Sequence, residues 1–141
     1  MTYSALITVD NRQTAPNGQS EHIVSTYNGS LHEKDEMLIA GYREETEDDV
    51  LKCLLKFSND RIELKKNGKL SYQMTFKAGE PDTVMYHTPY GVVPMGVCTK
   101  SLNIGKLRSD GFEAGVEYTL DMGGDYMIDC EMQIRIEIVE E

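Results

Sequence analysis

The chain has 141 residues, a net charge of −10 and 40% hydrophobic residues, which suits one globular domain, residues 1–141, with a real core. That acidity argues against nucleic acid and anionic membrane surfaces as partners, and no apolar run approaches the roughly 20 residues of a membrane-spanning helix. The N-terminus, Met1-Thr2-Tyr3-Ser4, lacks a basic segment and residues 5–9 are too short an apolar run for a signal peptide, so a cytoplasmic location is expected.

Taken in order, the chain reads as strands separated by turn chemistry. Residues 4–10 form a first strand, ended by the polar stretch 11–20 with Pro16, Asn17 and Gly18 at its centre. Residues 22–31 and 37–45 follow, the latter with Gly41 inside, where glycine often marks a bulge or bend. Residues 46–55 are ambiguous: Thr46 has N-cap character, and Val50, Leu51, Leu54 and Leu55 fall at helical spacing. Because both neighbours read as strands, 50–58 is expected to be a strand. Residues 61–66 and 69–76 flank Asn67-Gly68, a strong two-residue hairpin signal, since both residues tolerate the positive φ of a type I′ turn. Residues 83–88 form another strand, and Thr88-Pro89-Tyr90-Gly91 fits a type I turn with Pro second and Gly fourth. Pro94 and Gly96 suggest a bulged or edge strand over 92–101, with 102–107 pairing as a further short one. Val116, Tyr118, Leu120 and Met122 alternate, and Gly123-Gly124-Asp125 turns the chain into its last strand.

That last strand, 128–138, has the clearest pattern. Apolar Ile128, Cys130, Met132, Ile134, Ile136 and Ile138 alternate with Asp129, Glu131, Gln133, Arg135 and Glu137, a period of two that puts every apolar side chain on one face. At about 3.3 Å per residue it spans roughly 36 Å, long enough to bend around a core. Nine to eleven strands with turns every 8–12 residues predict an all-β antiparallel fold, either sandwich or barrel.

A resemblance narrows that choice. Tyr42-Arg43-Glu44-Glu45, Met74-Thr75-Phe76 leading to Gly79, Tyr86-His87-Thr88-Pro89-Tyr90-Gly91, Thr99-Lys100-Ser101-Leu102 and Tyr118-Thr119-Leu120 recur in this order and spacing in the YwiB-like proteins of Gram-positive bacteria. This chain resembles that family over nearly its whole length, departing at Lys66, where arginine is common. The family is described as lipocalin-like (calycin) β-barrels without an established activity. The resemblance therefore implies a closed antiparallel barrel of about 8–10 strands and a bacterial, cytoplasmic home, and transfers no functional residues.

Chemical motifs are largely absent. There is no P-loop, Gly-x-Gly-x-x-Gly, Gly-x-Ser-x-Gly or His-Glu-x-x-His, so no cofactor is expected. His22, His32 and His87 are far apart in sequence, which points to no metal site. Cys53, Cys98 and Cys130 form an odd set without Cys-x-x-Cys spacing and are expected to be buried, reduced thiols; none brings a readable base for catalysis. Two acidic clusters (33–36 and 44–49) precede a basic segment containing Lys56, Arg61, Lys65, Lys66, Lys69 and Lys77, a possible anion patch or, more simply, the solvated faces of a hairpin. Glu44 and Glu45 read as solvated.

What remains is the barrel interior, which an eight-strand barrel either fills with side chains or leaves open for one small ligand. Eight Met and eight Tyr supply adaptable filler and amphipathic rings. Tyr42, Met74, Phe76, Tyr86, Thr88 and Tyr118 are the candidates to line a lumen. Two functions stay open: a non-enzymatic module binding a small apolar or amphipathic ligand, and an interaction protein with a filled barrel, acting through a strand edge or a homodimer surface.

Overall fold

The computed structural model describes residues 1–139. Every regular element among them is a β-strand: β1 (Thr2–Thr14), β2 (Ser20–Lys34), β3 (Met37–Glu45), β4 (Val50–Phe57), β5 (Ile62–Asn67), β6 (Tyr72–Phe76), β7 (Asp82–Thr88), β8 (Gly91–Ile104), β9 (Gly111–Asp121) and β10 (Met127–Ile138). They build one sheet in the order β6-β5-β4-β3-β2-β1-β10-β9-β8-β7, with each neighbouring pair antiparallel. The two end strands meet and nearly close the sheet into the expected barrel. Ser71 and His87 exchange backbone hydrogen bonds of 3.0 and 2.9 Å, and the Asp82 carboxylate accepts the Thr75 N–H at 3.1 Å.

The alternating last strand sits mid-sheet. β10 is paired on both sides, with Ile136 opposite Ile7 of β1 and Phe112 of β9. Its inward Cys130, Met132, Ile134 and Ile136 are buried, while its charged partners point out. All three phenylalanines are buried, and Phe57 meets Phe112 edge-on at 4.9 Å between centroids. This apolar packing closes the interior around them. A fully buried large side chain contributes on the order of 1.5–3 kcal/mol, so the inward face of β10 makes a substantial gross contribution, which the entropy of ordering the chain largely offsets.

Several local expectations change. Residues 11–14 belong to β1, not to a loop: the strand continues to Thr14, with Asn11 and Gln13 in the inward register of Ile7 and Val9. Their polarity mimics a loop because the barrel interior is polar there. Residues 46–49 form a turn, with Thr46 Oγ1 accepting the Asp49 N–H at 3.1 Å; the cap is used, but for a turn into β4. Gly41 sits in unbroken pairing with both neighbours, and the register shift falls instead in β8 between Thr99 and Ser101. Residues 102–104 continue β8, opposite Val116, Gly115 and Ala114. Pro94 pairs with Met85 of β7 but precedes the β9 ladder, which starts at Gly96, so its missing N–H costs nothing there. Cys53 and Cys130 are buried as expected, but Cys98 is exposed.

Asn67-Gly68 does not form a type I′ turn. Lys66 pairs with Tyr72, leaving a five-residue connection, 67–71, while Asn67 pairs with Lys52 of β4. Gly68 has no positive φ. It is glycine for space, since a Cβ there would collide with Leu51 Cδ2 and lie 2.6 Å from Asp49 Oδ2. That carboxylate accepts the Lys69 N–H at 2.6 Å, so the β3–β4 turn, rather than a mirror-image turn, shapes this loop.

Candidate functional site

Strand periodicity carries one row of side chains across the inner face of four strands. Tyr42 of β3 is opposite Cys53 of β4, Cys53 is opposite Lys66 of β5, and Lys66 is opposite Tyr72 of β6. Next to this row the interior is not filled. A chamber of about 210 Å³ lies between apolar Leu55, Leu64, Met74 and Met132 and a polar set of Asn11, Lys66, Tyr72, Tyr86 and Tyr118. An adjoining vestibule of about 190 Å³ shares Asn11, Tyr42 and Lys66 with it and reaches Glu21 and Ile23, both exposed. The vestibule exists because β2 and β3 diverge: they pair only from Gly29 with Tyr42 to Lys34 with Met37, which leaves 20–28 of β2 without a β3 partner. Tyr27 and Tyr42 stack at 4.5 Å between centroids across that divergence. A larger concavity, about 970 Å³, lies outside it, among Thr26, Arg43, Glu45, Lys52 and Lys65. Those side chains are exposed, so the inner chamber is where a molecule would leave water.

Among the described residues shared by or bordering the chamber and vestibule, two charged side chains are paired. Lys66 Nζ donates to Glu44 Oε2 at 2.8 Å, their side chains 21% and 29% exposed, and the ammonium lies 6.0 Å from the Tyr72 ring centroid, the outer limit of cation–π contact. Burial acts to lower the Lys66 pKa, but Tyr72, Glu44 and Cys53 together outweigh it and the net shift is upward. Tyr72 and Cys53 are neutral at physiological pH, so Glu44 is the partner that keeps Lys66 charged there. Burial, aided by Cys53, Tyr27 and Glu44, raises the Tyr42 hydroxyl well above its ordinary value. Burial likewise raises Tyr118, with Cys130 adding to it, and Tyr72, where Lys66 opposes it. These phenols are therefore neutral donors and acceptors at neutral pH. Cys130 is pushed up by burial to about 11 and Cys53 also rises, again chiefly by burial; both stay thiols, the unreactive form. The Asn11 side chain interacts with the Tyr118 hydroxyl and opposes the upward shift that burial gives it, while Asn11 Oδ1 is buried without a hydrogen-bond partner. Among the described residues no group of three or more His, Cys, Asp or Glu is placed to hold a metal ion.

Of the six lumen candidates, Tyr42, Met74, Tyr86 and Tyr118 line the chamber. Tyr86 stacks on Tyr72 at 5.2 Å. Phe76 is fully buried against Tyr118 at 4.7 Å and lies outside the chamber wall. Thr88 serves the β7–β8 turn, its hydroxyl donating to Gly91 O at 2.9 Å and accepting the Tyr90 N–H at 3.1 Å. Asn11, Gln13, Glu44, Lys66 and Tyr72 are polar interior residues that the sequence candidates did not include, and apolar Leu55, Leu64 and Met132 also line the chamber. Glu44 and Lys66 are half-buried and paired rather than solvated; the signal was available, since Lys66 shares the parity of buried Ile62 and Leu64, and Glu44 that of Tyr42.

Comparison with known proteins agrees with this architecture. The crystal structure of the ywiB protein from Bacillus subtilis is similar to this chain, with a TM-score of 0.88 over 99% of this chain and 94% of that one, at 19% identity, a likeness of fold. No curated protein matches the chain. The family described as a domain of unknown function (DUF1934) matches residues 7–134, nearly all of the barrel from β1 to β10, and the chain belongs to that family.

Proposed function

We propose that the protein is a non-enzymatic binding module that takes a small amphipathic molecule into its barrel. The chamber supports this reading: apolar walls with a few convergent polar groups are what small-molecule sites present, and a completely filled core would leave no such space. The neutral phenols of the chamber and the paired Lys66 and Glu44 are groups that hold a ligand by hydrogen bonds. An exposed free thiol at Cys98 fits a reducing, cytoplasmic setting.

Fluorescence titration with the uncharged dye N-phenyl-1-naphthylamine tests the proposal. Saturable one-to-one binding is expected, and Val9→Phe, which fills chamber volume, should weaken it at least tenfold while keeping the thermal midpoint. A failure to bind, or binding that Val9→Phe leaves intact, would refute the chamber as the site. A second reading draws on the free edge of β2, where Ile23 and Val24 are 58% and 55% exposed: unpaired strand edges recruit other strands, and a homodimer is the simplest product. Native mass spectrometry separates the two, a co-purified small mass favouring the first and a bare dimer mass the second.

A further inference from the structure

We infer that the chamber's occupant is an uncharged planar ring compound with a hydrogen-bond donor and an acceptor on its rim, these groups meeting Asn11 and the Lys66–Glu44 pair. This rests on the ligand-binding reading and specifies its chemistry. Charge comes first. Among the described residues lining the chamber, Lys66 is the one charged side chain, and Glu44 already neutralises it at 2.8 Å. An anionic ligand must displace Glu44 and pass Glu21 in the vestibule, whereas a cationic one meets Lys66. Burying an ion without a free counter-charge is costly, so the chamber favours neutral molecules. The polar rim is next. Asn11 lies beside the Tyr118 hydroxyl, and its Oδ1, buried and unpartnered, can accept from a donor on the ligand, while Lys66, with N–H groups beyond the one given to Glu44, and the Gln13 amide offer donors to an acceptor. Shape is third. The Tyr72–Tyr86 and Tyr27–Tyr42 pairs, each with 26° between planes, present flat faces suited to an aromatic ring. At about 210 Å³ the chamber is below the usual 300–1,000 Å³ of drug-sized sites, and with the adjoining vestibule of about 190 Å³ it suits two or three rings rather than a long acyl chain.

Three probes test this: 7-amino-4-methylcoumarin, uncharged with an amine donor and a lactone acceptor; its 3-acetic acid analogue, which adds a carboxylate; and phenyltrimethylammonium as a cationic competitor. The neutral coumarin is expected to bind saturably and at least tenfold tighter than the acetate, with no displacement by the cation. Glu44→Gln, close to isosteric, leaves Lys66 uncompensated and should shift the preference at least tenfold toward the acetate. Lys66→Met should instead let phenyltrimethylammonium compete. A pair with a purely structural role would alter affinity for all three probes alike. Acetate or cation binding as tightly as the neutral coumarin to the unaltered protein overturns the inference, as does an unchanged preference in a folded Glu44→Gln. Should that variant not fold, the order of affinities in the unaltered protein and in Lys66→Met decides. If N-phenyl-1-naphthylamine binds and the neutral coumarin does not, this inference falls and the binding reading stands; if neither binds, the binding reading falls with it.

Discussion

At the scale of single residues, the interior tyrosines set how the protein responds to alkali. Tyr42, Tyr72 and Tyr118 are all raised above the ordinary tyrosine value, burial being the largest cause in each. Between the unfolded value of about 10 and the higher folded ones, the native state holds more protons than the unfolded state, so stability falls as pH rises through that window and is fully present below it. Lys66, also raised, adds to the same slope. We expect tyrosinate absorbance to report fewer than the eight tyrosines while the fold persists, the remainder ionising together as near-ultraviolet circular dichroism is lost. All eight titrating near pH 10 in folded protein would contradict the burial of these rings. Met74 and the aromatic members of this site were legible in the sequence, because alternation marks Met74, Tyr86 and Tyr118 as inward. Parity also puts Glu44 and Lys66 on the inner face, with Tyr42 and with Ile62 and Leu64, but their charge reads as solvated until the pairing of β3, β4 and β5 sets them side by side, and Asn11 carries no hydrophobic signal at all.

At the scale of elements, the long alternating strands were legible and the connections were not. β10 and β9 could be read directly because each has one buried face. The 67–71 loop could not, because its shape depends on Asp49, a residue of another turn that accepts the Lys69 N–H. Nor could the end of β1, whose inward Asn11 and Gln13 carry no hydrophobic signal. Gly68 tests the revised account of that loop. A methyl group added there meets Leu51, which is 6% exposed and cannot easily give way. Gly68→Ala is expected to cost about 1–3 kcal/mol, as overpacking does, measured as a lowered denaturant midpoint at constant m-value. Were Gly68 present for a left-handed turn instead, Gly68→Asn would be tolerated; the crowding argument expects it to be at least as damaging as alanine.

At the scale of the whole molecule, the barrel is packed around its phenylalanines and open beside its tyrosines, so one interior combines a stable core with a small chamber. The all-β class followed from alternation, while closure and the divergence of β2 from β3 depend on which strands meet, and local sequence does not state that. The sheet order has a consequence for how the chain reaches this state. Every neighbouring pair except β1 with β10 is adjacent in sequence, so the two meanders form from short hairpins, whereas Ala5 must find Ile138 and Thr14 must find Asp129. Closing so large a loop carries an entropic cost that only the completed pairing repays, and topologies dominated by such pairing fold in milliseconds to seconds or slower. The β1–β10 junction is therefore the expected kinetic bottleneck. Ile134→Val, on β10 opposite Val9, should slow refolding in stopped-flow experiments, whereas Leu64→Ala in the local β5–β6 hairpin should chiefly speed unfolding. The reverse partition would place the nucleus within a meander, leaving the encounter of the chain's two distant strands as a late and undemanding step.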